Sequence, residues 1–167
     1  MDMVDEPIRI DPPLYLASTT IGCWRCGSAM PAVALVAPNV SDADGEPCML
    51  SEVRELPEPV LSFIQARFPS FRRKYSKTVG GEYFANTCRR CGVLYGDFYL
   101  HDEPGTPFFP TSEEEACSVR LEEVPLAGPI SIRASLGTGT AEMILRGARQ
   151  VAQNKAVQPA RGKDARG

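Results

Sequence analysis

Cys23-Trp24-Arg25-Cys26-Gly27 and Cys88-Arg89-Arg90-Cys91-Gly92 are two copies of one pattern, Cys-x-x-Cys-Gly, set far apart in the chain. Each copy lies between runs of β-formers. Residues 14–22 (L-Y-L-A-S-T-T-I-G) lead into the first and residues 30–37 (M-P-A-V-A-L-V-A) leave it. Residues 82–87 lead into the second and residues 93–100 (V-L-Y-G-D-F-Y-L) leave it. Strand, tight turn, strand is the composition of a β-hairpin, and these two units are the internal repeat of the sequence.

Two such turns suit one divalent ion. A Cys-x-x-Cys turn brings two sulfurs to one edge of a metal, and two turns complete the tetrahedron that structural Zn²⁺ takes with thiolates at about 2.3 Å. The glycine after the second cysteine, Gly27 or Gly92, supplies the positive φ that lets the backbone curl beneath the sulfurs. A shuffled chain with six cysteines would hold only about 0.2 Cys-x-x-Cys pairs. Two pairs, each followed by Gly, are therefore a specific signal, and they assign one structural Zn²⁺ to Cys23, Cys26, Cys88 and Cys91. Closing the intervening segment, residues 27–87, costs roughly 4 kcal/mol of chain entropy. Structural zinc returns on the order of 10–16 kcal/mol, so the separation is no obstacle. The rival chemistry, a thiol redox enzyme using Cys-x-x-Cys, needs its first cysteine at a helix N-terminus. Neither copy opens a helix.

The totals bound the rest. With 167 residues and 43% hydrophobic side chains the chain fits one domain with a modest core. Fifteen prolines and fourteen glycines imply many turns and short elements. A net charge of −3 and a pI near 5.3 argue against a wholesale nucleic-acid binder. The start, Met1 to Pro7, is acidic and lacks the apolar run of a secretory signal. No stretch approaches the length of a membrane span. The expected compartment is the reducing cytoplasm, where cysteines serve metals more than disulfides.

Residues 1–13 read as an acidic lead-in and 38–56 as a loop rich in Pro, Gly, Asp and Asn. A helix is expected at about 59–68, opened by Pro59, striped by Val60, Leu61, Ile64 and Phe68, and stopped by Pro69. Residues 70–81 and 103–110 read as loops, and strands are expected at about 117–124 and 129–135. Thr138 to Thr140 offers an N-cap for a second helical stripe ending near Gln153. Residues 154–167 are small, polar and basic, the composition of a disordered tail. The expected fold class is α+β: a split zinc ribbon, two β-hairpin knuckles in a mostly antiparallel sheet, with one or two helices, all within residues 14–153.

Cys23 to Gly27, Tyr83 to Gly92 and Gly96-Asp97-Phe98-Tyr99-Leu100 together resemble an uncharacterised group of bacterial zinc-ribbon proteins, over roughly residues 14–110. The resemblance implies a zinc ribbon, in which two hairpins pinch one metal, and implies no reaction. Zinc ribbons in general bind proteins or nucleic acids.

Outside the knuckles, Cys48 and Cys117 read as small buried apolar residues, with a mutual disulfide or a ligand role as the alternatives. His101, the only histidine, reads as a strand-end residue with no nucleophile motif to serve. Asp97, Asp102 and Glu103 match no metal loop. Between Pro59 and Gly81 there is no carboxylate, while Arg67, Arg72, Arg73, Lys74 and Lys77 mix with Phe68, Phe71 and Tyr75. With Arg89, Arg90 and Trp24 this segment is the candidate surface for nucleic acid or another partner. Trp24 and the Phe108-Phe109 pair read first as packing residues and second as partner anchors. The functional expectation is a non-enzymatic zinc-binding module that recognises another macromolecule, a protein first. A nucleic acid read by segment 67–77 is the alternative, and no membrane is expected.

Overall fold

The computed structural model describes residues 6–77, 79–101 and 104–148. Its strands are β1 (Ile8–Ile10), β2 (Leu14–Gly22), β3 (Ala29–Val40), β4 (Glu46–Glu55), β5 (Phe71–Ser76), β6 (Gly81–Thr87), β7 (Leu94–Tyr95), β8 (Arg120–Val124) and β9 (Ile130–Gly137). Helix α1 spans Glu58–Arg67, and the single turns α2 and α3 span Phe98–His101 and Glu113–Ala116. Residues 141–148 are helical as well (α4). The class is α+β. The strands form a curled, half-barrel sheet, antiparallel throughout, in the order β1-β9-β4-β3-β2-β8, with β6 branching from β4 and carrying β5 and β7.

Strand β3 is the centre because it is apolar on both faces, as a doubly covered strand must be. Val33, Leu35 and Ala37 join one core with Leu14 and Leu16 of β2, Leu50 of β4, Ile132 of β9 and Val60 and Ile64 of α1. Ala32, Ala34 and Val36 face the other way, into a second core with Ala17, Leu100, Phe108, Ile144 and Leu145. The alanines on that face leave room for α2 and α4 to approach the sheet. Helix α1 starts one residue before the expected Pro59 and ends as Pro69 dictates, with Phe68 N–H returning to the Ile64 carbonyl at 2.7 Å.

Several expectations are corrected. The lead-in contains β1, whose Ile8 and Ile10 are buried and pair with β9. The loop expected over 38–56 narrows to a 3-10 turn at Ser41–Ala43, and 46–55 is strand. Pro47 and three glutamates disguise it, yet Cys48, Met49, Leu50 and Val53 are buried. Half of the loop expected over 70–81 is β5, a basic edge strand that among the described residues pairs with β6 alone. Charge on an edge strand deters pairing with another chain, and it also hides the strand from an apolar-pattern reading. The strand expected over 93–100 stops at Tyr95 and turns into α2, because the Asp97 carbonyl accepts from the Leu100 and His101 N–H groups at 3.0 and 2.9 Å. The tail 154–167, Asp102 and Glu103 lie outside the described residues. Among those described, no helix is long and apolar enough to cross a membrane.

Two buried polar side chains fasten the β6–β7 hairpin to the main sheet. After Ser51, β4 bulges at Glu52, whose φ is +49°, and leaves β3 so that Val53 can pair with Phe84 of β6. That departure strips Val33 of a strand neighbour. Asn86 replaces it: its Oδ1 accepts from Val33 N–H at 2.8 Å and its Nδ2 donates to the Val33 carbonyl at 3.1 Å. The Glu52 N–H freed by the bulge donates to Asp97 Oδ2 at 2.6 Å, while Asp97 N–H donates to the Tyr83 hydroxyl at 3.2 Å. Burial and the Asp97 carboxylate both push the Tyr83 phenol upward, so it stays protonated.

Candidate metal centre

The two Cys-x-x-Cys-Gly turns close the β2–β3 and β6–β7 hairpins, and their backbone geometry is the same. Cys23 N–H donates to the Ser28 carbonyl at 2.8 Å and Gly27 N–H to the Cys23 carbonyl at 2.9 Å. Cys88 N–H donates to the Val93 carbonyl at 3.0 Å and Gly92 N–H to the Cys88 carbonyl at 2.9 Å. Gly27 and Gly92 have φ of +76° and +78°, the left-handed conformation expected of them. The curl turns backbone amides toward sulfur: Arg25 N–H lies 3.4 Å from Cys23 Sγ, and Arg90 N–H 3.4 Å from Cys88 Sγ. At Cys23 the Arg25 amide favours the thiolate over the thiol.

The hairpins meet tip to tip, so the four sulfurs of Cys23, Cys26, Cys88 and Cys91 all lie within 4.8 Å of one another. Cys23 Sγ is 3.7 Å from Cys91 Sγ, and Cys26 Sγ is 3.6 Å from Cys88 Sγ. These are no disulfides, and all four cysteines are free. A sulfur tetrahedron around an ion with 2.3 Å bonds has edges of about 3.8 Å, so the cluster has the size of a metal-binding site. Cys23 and Cys88 are buried against Met30, with Ile21, Val93 and Tyr95 around them, while Cys26 and Cys91 face solvent.

Four thiols so close cannot ionise alike. Hydrogen bonds from the Ser28 side chain and backbone pull Cys26 down to about 6. Cys23 is lowered too, first by the Cys26 N–H. At Cys91 the Val93 N–H favours the thiolate, but desolvation and the three neighbouring sulfurs outweigh it and push the thiol up to about 11. The cluster thus sheds a first proton readily and resists losing the last. A divalent ion bound here would supply the counter-charge that thiolate ligands need.

The other singled-out residues divide. Trp24 packs on the opposite hairpin, donating from Nε1 to the Leu94 carbonyl at 3.0 Å, and is still 62% exposed. Arg89 and Arg90 are exposed at the tip of the second turn. Arg67 pairs with Glu122 at 2.9 Å and lies 3.7 Å over the Phe63 ring. Arg73 lies 4.5 Å over the Phe84 ring. Arg72 and Lys77 are exposed, Lys74 partly so, and Tyr75 is 60% exposed. The strand alternation of β5 puts Arg72 and Lys74 on the side opposite Arg73 and Tyr75, so the basic segment is not one continuous face.

Cys48 is buried in the first core, where desolvation raises its thiol, and Cys117 is a free, partly exposed thiol at the end of α3. Neither joins the cluster. Phe108 is fully buried, with its ring 5.2 Å from that of His101. Arg25, Asn86 and Asp97 carry weight that the sequence reading did not give them. Arg25 was legible by its place inside a knuckle, whereas Asn86 and Asp97 act only through the strands they bridge. The chain matches no protein-family model, no curated protein and no solved structure.

Proposed function

We propose that this chain is a zinc-binding module, built as a split zinc ribbon, whose single Zn²⁺ is structural and which works by recognising another macromolecule. The observation that carries the reading is the four-sulfur cluster of Cys23, Cys26, Cys88 and Cys91. Soft thiolates in a tetrahedron of this size select zinc among the common biological divalent ions. Four protein sulfurs fill its coordination sphere and leave no open position at which water or substrate could be activated. The ion therefore fastens two hairpins that only a few side chains otherwise hold together. Recognition is supported by the tip itself, where an indole and guanidinium groups stand in solvent beside the cluster.

The test is metal content and stability on the purified chain. One zinc per chain is expected, and cobalt substitution should give the visible absorption of tetrahedral sulfur ligation. Cys88→Ser should lose the metal and melt at a lower temperature than the zinc-loaded wild type, because metal affinity and folding are coupled. Wild-type stability in a metal-free Cys88→Ser variant would overturn the reading.

A further inference from the structure

We infer that the knuckle tip binds single-stranded nucleic acid, with Trp24 as a base-stacking platform and Arg25, Arg89 and Arg90 as phosphate contacts. This deepens the recognition reading and rests on it. Trp24 is fixed before any ligand arrives: its single polar atom is engaged by the Leu94 carbonyl, while 62% of the residue remains in solvent. A rigid indole with an open face is what an unpaired base stacks on, without regard to sequence.

Arg25, Arg89 and Arg90 occupy the middle positions of the two turns, so the compactness of the sulfur cluster brings all three to one end of the molecule. All three are exposed, and none has an ion-pair partner among the described residues. Neither knuckle contains a carboxylate. Residues 12–41, 59–81 and 83–96 have no Asp or Glu at all. The chain's net charge of −3 is thus carried elsewhere, and the tip stands out from an acidic body. A Zn²⁺ held by four thiolates has a net charge of about −2, which three guanidiniums exceed.

A surface hollow of about 160 Å³ runs from this tip toward the end of α1, with Arg89 and Arg67 among its lining and the partly exposed Pro31 and Phe68 as apolar walls. It gives a strand a path off the tip: an apolar surface for a sugar or base beside the Arg89 guanidinium, which suits a phosphate, while Arg67 at the far end is held by Glu122. An acidic peptide without aromatic side chains, such as poly-glutamate, would satisfy the guanidiniums but leave the exposed indole without a stacking partner. That difference favours the nucleic acid.

Trp24 is the only tryptophan, so intrinsic fluorescence reports on the proposed contact directly. The zinc-loaded chain should be titrated with a 20-nucleotide oligothymidylate at low salt, and in parallel with poly-glutamate. Saturable quenching by the oligonucleotide is expected, with log K falling against log salt at a slope of about −2, as for three single-strand phosphate contacts. R89E/R90E should weaken binding at least tenfold, and R89Q/R90Q less, with zinc content and melting temperature unchanged. Trp24→Ala should weaken binding by a similar factor, followed by anisotropy of a labelled oligonucleotide. No quenching, equal binding by R89E/R90E, or poly-glutamate binding as tightly as the oligonucleotide would each overturn the inference. In the last case the surface is one for acidic proteins. Loss of zinc from the wild-type chain would instead overturn the metal reading, so the two failures are distinguishable.

Discussion

Asn86 does at the scale of one residue what a strand does elsewhere in the sheet. Its amide presents one acceptor and one donor to Val33, reproducing the pair of bonds that β4 withdraws when it turns away. Removing it leaves a buried N–H and a buried carbonyl without partners, and each such group costs about 1–3 kcal/mol. Asn86→Ala should therefore lower unfolding stability by about 2–4 kcal/mol in urea titrations of the zinc-loaded chain. Asn86→Asp should fare no better, since a carboxylate cannot donate to the Val33 carbonyl. His101 makes a different contribution. Desolvation beside Phe108 pushes its imidazole down to about 4, against about 6.5 in an unfolded chain. Between those values the unfolded state binds a proton that the folded state refuses, so stability falls as pH drops from about 6.5 toward 4, by at most about 3 kcal/mol. Comparing wild type with His101→Phe across that window should show the smaller pH dependence in the variant. Identical slopes would mean that the histidine is not held neutral.

At the scale of elements, the second core depends on close approach. An added Cβ at Gly147 would lie 2.6 Å from Ala116 Cβ and 3.1 Å from the Glu113 carbonyl, so α4 and α3 touch backbone to backbone. Arg146 reinforces the contact through Glu113 at 2.8 Å. Gly147→Ala improves helix propensity by up to about 1 kcal/mol, yet overpacking of this kind costs about 1–3 kcal/mol. The variant should melt at a lower temperature than wild type, and a higher melting temperature would show that the helices can separate freely. The opposite economy holds at α3, where Ser112 caps the turn by accepting from Glu115 N–H at 3.1 Å. Such a short helix persists through that cap and its packing, not through propensity.

At the scale of the molecule, the four-cysteine cluster is set apart from the two main cores. The apolar cluster around the sulfurs is small, and the hairpins are otherwise joined to the sheet by Asn86, Asp97 and ordinary strand pairing. Chelation at neutral pH should therefore disorder the two tips first, with hydrogen exchange rising at residues 22–28 and 87–93 before β3. Thiols must ionise to bind the ion, so acidification should have the same effect, with zinc affinity falling as pH drops. Uniform loss of protection throughout the sheet would show that tips and cores form one cooperative unit.

The four clustered cysteines, both hairpin turns and the glycine conformations could be read directly from the sequence, because Cys-x-x-Cys-Gly is a local pattern whose chemistry is written in adjacent residues. Strands β2, β3 and β6 and helix α1 were legible for the same reason, being apolar or periodic over their own length. Strands β4 and β5 and the helical turn after Asp97 were not. Glu46–Glu55 and Phe71–Ser76 are strands because distant partners accept their hydrogen bonds, and an edge strand carrying arginines satisfies that need without an apolar pattern. Nor could the sequence reveal that three arginines from two separate turns share one end of the molecule. Their charges become neighbours only when the four sulfurs converge, and that convergence is a property of the folded chain.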